Sequence, residues 1–292
     1  MIGIVYIENN LVTNAFSKDR IELLNLLSSQ IAISIENSRL MKEVVEVTKE
    51  KAKASTAMEI AKDMQTCLIP NSPVVGGFDI SVYMETCDEV GGDYFDVIND
   101  GTRDWFIIGD VSGHGVKSGM VMMMAQVAIH TALKFFEEKS NLEDIIQKVN
   151  QVISTNISIM NAEKYISFSI FLREEDKFHF LGLHLPVILF RAKEKTIEIL
   201  ETTGSWLGYC EFMNDFPLGE FQMNSGDILF LYTDGVTEGR NHKGEMLMDT
   251  GIKNFLLEFY ELNTEELKKE FLKILLNYEN EDDITFMIIK KK

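Results

Sequence analysis

The chain has 292 residues, 46% of them hydrophobic, enough for one large domain or two small ones around a packed core. Its 28 Lys and Arg stand against 46 Asp and Glu, and a formal charge of −18 repels phosphate backbones and anionic lipid, which excludes nucleic acid and membrane surfaces as general partners. No run approaches the ~18 consecutive apolar residues of a spanning helix, and the opening MIGIVYIENN lacks the basic region and cleavage site of a signal peptide, so a cytoplasmic location is expected. Cys67, Cys87 and Cys210 are widely spaced and form no CxxC pair. They are expected to be reduced thiols in or near a core, with neither a disulfide framework nor a zinc site.

From Ile21 the apolar residues Leu24, Leu27, Ile31 and Ile35 recur at steps of three and four, one face of a helix. No Gly or Pro interrupts residues 4 to 69, and a thin seam through Met41, Val45, Thr48 and Ala52 runs on among Lys and Glu. Such a stripe reads either as a solvated single helix or as a parallel two-stranded coiled coil. Met58, Ala61, Met64 and Leu68 restore a fuller stripe before Pro70 ends the helix. Beyond it the period changes to two: Phe78, Ile80, Val82 and Met84 alternate with polar residues, as in a strand with one buried face. Trp105 to Ile108 is a short apolar run ending at Gly109-Asp110, and SGHGVKSG then opens a Met- and Ala-rich segment, Met120 to Phe136, long enough for a buried helix. A capping box from Ser140 to Glu143 introduces a second helix with Leu142, Ile145, Ile146, Val149 and Ile153 on one face. Strands are expected at Ile166 to Leu172, at Phe178 and Phe180, at residues 227 to 232 and at the terminal ITFMII, with a last helix over 264 to 278. Strands joined by short turns, with helices inserted in pairs, indicate an α+β fold with antiparallel sheets.

Four aspartates stand at the edges of apolar strands. Asp110 follows WFIIG, Asp234 follows ILFLYT, Asp282 and its neighbour Asp283 precede ITFMII, and Asp93 follows Gly91-Gly92. Any one of them fits a turn, where Asp and Gly are common. Gathered together, the carboxylates would repel one another unless cations neutralise them, and oxygen-only ligands select Mg²⁺ or Mn²⁺. Two such ions would let a bridging hydroxide attack phosphorus in line, with no nucleophilic side chain. None is evident, since GxSxG and GxxxxGK[ST] are both absent.

In order, EVGGDYFDV, IIGDVSGHGVKSG, GDILFLYTDGVTEGRN and EDDITFMII resemble the motifs of SpoIIE/RsbU-type bacterial phosphatases, within the metal-dependent PPM (2C-type) serine/threonine phosphatases. A GGDEF cyclase would need Glu where Tyr94 stands, and it leaves the other three motifs unexplained. The resemblance runs from about residue 58 to the C-terminus and implies an αββα sandwich, two antiparallel sheets flanked by helices, over residues 70–292. It implies that two Mn²⁺ or Mg²⁺ ions are held, with Asp110 bridging them, the Val111 carbonyl as a further ligand, Asp93 on one ion, and Asp234 and Asp282 on the other. Asp283 is the alternative to Asp282. Gly113 and Gly115 would bend the loop after Asp110, and His114 would either donate a proton to the leaving oxygen or pack the loop. The implied substrate is a phosphorylated STAS-domain protein, an anti-sigma-factor antagonist.

The same likeness makes residues 41–69 a linker and switch helix, or else a helix that only covers apolar surface. Residues 1–40 resemble the last strand and exit helix of a GAF domain, either a fragment or a chain whose start lies further upstream, and a homodimer through residues 21 to 60 is expected. One departure falls at LGLHLP, where Leu183 stands in place of the glycine of the family's AGHxP; His184 and Pro186 still fit. A binding module for the same partner and a small-molecule phosphohydrolase are the competing functions.

Overall fold

The computed structural model describes residues 3–12, 15–70, 73–101, 103–135, 141–210 and 217–292. Compactness divides the chain into Met1–Ala57 and Met58–Lys292. Helix α1, Lys18–Leu68, belongs to both, its unbroken length following from the absence of Gly and Pro. Within the first unit residues 3–9, expected to resemble a strand, form none. A lone extended segment has no neighbour to satisfy its backbone.

The second unit continues with β1 (Phe78–Glu85), β2 (Tyr94–Asn99), β3 (Asp104–Val111), α2 (Val116–Lys134), α3 (Leu142–Ile159), β4 (Ile166–Glu174), β5 (Lys177–Leu181), β6 (Val187–Arg191), β7 (Thr196–Leu200), β8 (Gly219–Gln222) and β9 (Ile228–Tyr232). It closes with α4 (Asp234–Glu238), β10 (Arg240–Asn241), α5 (Met248–Phe259), α6 (Thr264–Leu275), β11 (Tyr278–Glu279) and β12 (Ile284–Lys291). Two five-stranded antiparallel sheets result, ordered β1-β12-β9-β6-β7 and β2-β3-β4-β5-β8, with β10 and β11 as a separate ribbon. The α+β reading holds, and so do its two antiparallel sheets.

Three apolar clusters make the layers. Phe78, Phe106, Phe171, Phe178, Leu229 and Met287 fill the space between the sheets. Trp105, Ile107 and Ile170 bury the outer face of one sheet against α2 and α3, while Phe230, Phe286 and Ile288 bury the outer face of the other with Phe255 and Phe271 of α5 and α6. Each such side chain contributes roughly 1.5–3 kcal/mol by leaving water. Strands covered on both faces read as continuous apolar runs, which is why ILFLY and ITFMII do not alternate.

Several expectations need correction. β1 is covered on both faces: Ile80, Val82 and Met84 pack between the sheets, while Ser81 is buried and donates to Glu265 at 2.7 Å. Its second face is hidden because α6 lies across it, which periodicity within one strand does not reveal. All three cysteines are exposed, Cys67 on α1 and Cys87 and Cys210 in connecting segments outside the helices and strands. Ser140 and Phe136 lie outside the described residues; α3 is capped by Asn141, whose side chain accepts from the Glu143 N–H at 2.7 Å. Helix α5 and strands β2 and β6 to β8 are not among the elements expected from the sequence.

Candidate metal centre

The long, buried strand β3 carries Asp110 as its penultimate residue, opposite Ser167 of β4. The Gly91-Gly92-Asp93 loop is laid against the end of β3: the Val111 N–H donates to the Gly92 carbonyl at 3.2 Å. A Cβ on Gly92 would stand 2.9 Å from the Val111 carbonyl oxygen, so only glycine permits this approach. After β3 the loop turns through Gly113 and Gly115, both at positive φ, and Gly115 caps α2. The side chain of Gln65, on the last turn of α1, is buried and spans the same loop from behind. It donates to the Gly91 carbonyl at 2.8 Å and accepts from the Gly91 N–H at 3.1 Å.

Asp110, Asp234 and Asp282 line one cleft of about 440 Å³, together with Ser112, His184 and Trp206. Burial, and then the carboxylates of Asp234, Asp282 and Asp283, push Asp110 up to about 8; Lys164 pulls the other way. Asp234 opens α4 and is raised by burial and by Asp282. Asp93 stands behind the cleft. It is 1% exposed, accepts from the Thr233 hydroxyl at 2.8 Å, and is raised well above the carboxylate range by burial and by Asp110.

The Asp282/Asp283 pair is divided by its surroundings. Asp283 is 2% exposed, and its oxygens accept from the Cys87 N–H at 2.8 Å and the Gly92 N–H at 2.6 Å. Asp282 is exposed and faces the cleft. His114, on the loop beyond Asp110, is exposed and sits 2.6 Å from Asp88, whose hydrogen bond and charge raise the imidazole pKa. It is not among the cleft's lining residues.

Two residues were missed in the sequence. Lys164 donates to the Ser112 carbonyl at 2.5 Å and the Ser118 hydroxyl at 2.9 Å, tying down the loop after Asp110. Trp206 reaches the cleft from a segment without regular structure. Neither lies in a motif, so no local signal marks it. A larger apolar groove, about 670 Å³ between α2 and α3, contains none of the carboxylates.

The donor set fits a hard divalent cation: it is all oxygen, and its carboxylates repel one another when no cation is present. The donors do not form a closed cage. Among the described residues no group of three or more His, Cys, Asp or Glu side chains is arranged closely enough to hold an ion.

Two stacked antiparallel sheets flanked by helix pairs, with aspartates from separate strand ends gathered about one cleft, define a phosphatase domain of the PPM (PP2C-type) class. The family model described as Stage II sporulation protein E (SpoIIE) matches residues 100–292, and the chain belongs to that family. It is 25% identical over 244 residues to the phosphoserine phosphatase RsbU of Bacillus subtilis, covering 80% of this chain and 70% of RsbU. The SiaA-PP2C domain of Pseudomonas aeruginosa superimposes with a TM-score of 0.71 at 18% identity, over 83% of this chain and 98% of that one. The RsbU and RsbW domains of Rv1364c from Mycobacterium tuberculosis give 0.64 at 23% identity, over 76% of this chain; the match spans 62% of that longer chain. No helix among the described residues is long and apolar enough to cross a membrane.

Proposed function

We propose that the chain is a metal-dependent phosphatase acting on phosphoserine or phosphothreonine in a protein, with a small STAS-domain anti-sigma-factor antagonist as its substrate. The observation that carries this is the set Asp110, Asp234 and Asp282, brought from three strand ends to one cleft where Asp110 is pushed up to about 8, with Asp93 buried behind it and raised by burial and by Asp110. Asp110 would serve two Mn²⁺ or Mg²⁺ ions with the Val111 carbonyl beside it, Asp93 one of them, and Asp234 and Asp282 the other. When bound, such ions supply Lewis acidity to a water and to a phosphoryl oxygen. Asp283 and Lys164 hold the two loops that present these donors. His114, kept protonated to higher pH by Asp88, would either donate a proton to the leaving oxygen or pack the loop with Asp88, outside the cleft lining.

The end of the linker and switch helix 41–69, from Met58 on, acts in this reading as the switch. The paired bonds from Gln65 to Gly91 support it, because a shift of that turn would move the loop bearing Asp93. The apolar residues left exposed along α1 support a homodimer through residues 21 to 60.

The test is phosphate release from a phosphorylated STAS protein, with Mn²⁺ and with chelator. Asp110→Ala is expected to lower turnover by at least about 100-fold, since even outer partners of a metal site are worth 10–100-fold. Turnover that survives chelation would overturn the reading. Absence of both turnover and calorimetric Mn²⁺ binding would leave a binding module.

A further inference from the structure

Three aromatic rings pack together beside the acidic cleft. Tyr165 stacks on Trp206 with centroids 4.5 Å apart, and Tyr209 meets both edge-on at 6.3 and 5.9 Å. Trp206 and Tyr209 are nevertheless 36% and 69% exposed. Their segment is firmly held. Leu207 is fully buried and exchanges backbone hydrogen bonds with Ile166 at 2.8 and 2.9 Å. Asn150 of α3 accepts from the Gly208 N–H at 2.8 Å and donates to the Cys210 carbonyl at 2.7 Å. Leu207 supplies the core anchor, so burial does not account for the rings on either side of it. Tyr165 and Trp206 line the same cleft as Asp110, Asp234 and Asp282, and Leu183 and Leu185 add further apolar lining.

We infer that Tyr165, Trp206 and Tyr209 form a substrate-reading wall that takes an apolar side chain adjacent to the phosphorylated residue of a protein substrate. The inference rests on the phosphatase reading. A rigid aromatic surface gives large contact at small entropic cost. The acidic cleft, on a chain of net charge −18, repels an acidic neighbour at the same position. A small phosphate ester reaches only the carboxylate part of such a cleft, whereas a phosphorylated segment occupies both.

The experiment uses the full chain with excess Mn²⁺ and three phosphoserine peptides identical except for Leu, Gly or Asp next to the phosphoserine. Wild type is expected to prefer Leu over Gly by about tenfold in kcat/KM, the scale of one apolar contact in a pocket, and to turn over the Asp peptide most slowly. Trp206→Ala brings the Leu-to-Gly ratio near one, and Trp206→Phe restores most of it. A merely structural role would lower all three rates together and leave the ratio intact, which overturns the inference, as does a wild-type ratio of one. If wild type hydrolyses none of the peptides, the phosphatase reading has failed separately. The inference then stands or falls on the anisotropy of dye-labelled peptides: tighter binding of the Leu peptide, lost in Trp206→Ala, supports it, and equal affinities sink it.

Discussion

The two units treat their apolar residues in opposite ways. In Met58–Lys292, Trp105, Phe106, Phe230 and Phe286 are completely buried, whereas in Met1–Ala57 Leu23, Leu27, Ile31, Ile35, Val44 and Val45 are all about half exposed or more. One unit closes a core from its own layers. The other is a single helix with nothing of its own to pack against, and a stripe of that kind is stabilised only when a second surface covers it. The catalytic fold closes on its own layers, whereas the apolar stripe of the helical unit is left for the proposed homodimer to cover.

The largest effect that would break this contrast is a core truncation. Phe230→Ala is expected to cost about 3–5 kcal/mol in urea unfolding, since the ring lies between Phe271 and Phe286 and leaves a cavity. A loss below 1 kcal/mol would mean the core is looser than its burial implies. Next comes pH. Burial lowers His184 from 6.5 to about 4, with its bond to the Tyr232 carbonyl opposing the shift. The unfolded chain takes up that proton near 6.5 and the folded chain only near 4. The neutral imidazole's contribution is thus complete above pH 6.5 and lost as pH falls towards 4, by up to about 3 kcal/mol. The difference in stability between wild type and His184→Asn should narrow over that window; a constant difference would contradict the assignment.

Smaller effects sharpen the comparison inside the site. Asp283→Ala strands the Cys87 and Gly92 N–H groups and should cost about 1–3 kcal/mol of stability. Asp282→Ala should leave the urea midpoint nearly unchanged while lowering Mn²⁺ affinity by calorimetry. Identical profiles for the two variants would erase the distinction drawn between them. Smallest of all, Leu27→Ala, at a side chain 48% exposed, should move the main unfolding transition by less than about 0.5 kcal/mol while shifting light scattering from dimer towards monomer. A monomeric wild type would remove the proposed pairing.

Much of the fold was legible because its signals are local. Most of the buried face of α3, Leu142, Ile145, Ile146, Val149 and Ile153, is legible, as an amphipathic helix repeats its pattern within every turn; Asn150 and Ile157 are buried there as well. β1 was found but given one buried face, and the short strands β6 to β8 were overlooked. β6 is covered on both sides and carries no alternation, while β7 and β8, only four or five residues long, are too short for theirs to stand out. Among the site residues, the aspartates stood out by their Asp-Gly and strand-end settings, yet nothing local separated Asp282 from Asp283 or moved His114 away from the cleft lining.

By itself the sequence determined where the carboxylates fall along the chain, how far the first helix runs, and that two antiparallel sheets would be built, because propensity, period and glycine placement act between near neighbours. Tertiary structure alone decided that Asp283 binds backbone N–H groups while Asp282 faces the cleft, that Gln65 clasps Gly91, and that Trp206 lies beside Tyr165. Those outcomes depend on residues far apart in the chain meeting across strand ends. Burial and charge at such meeting points belong to the packed layers, and no short stretch of the chain encodes them.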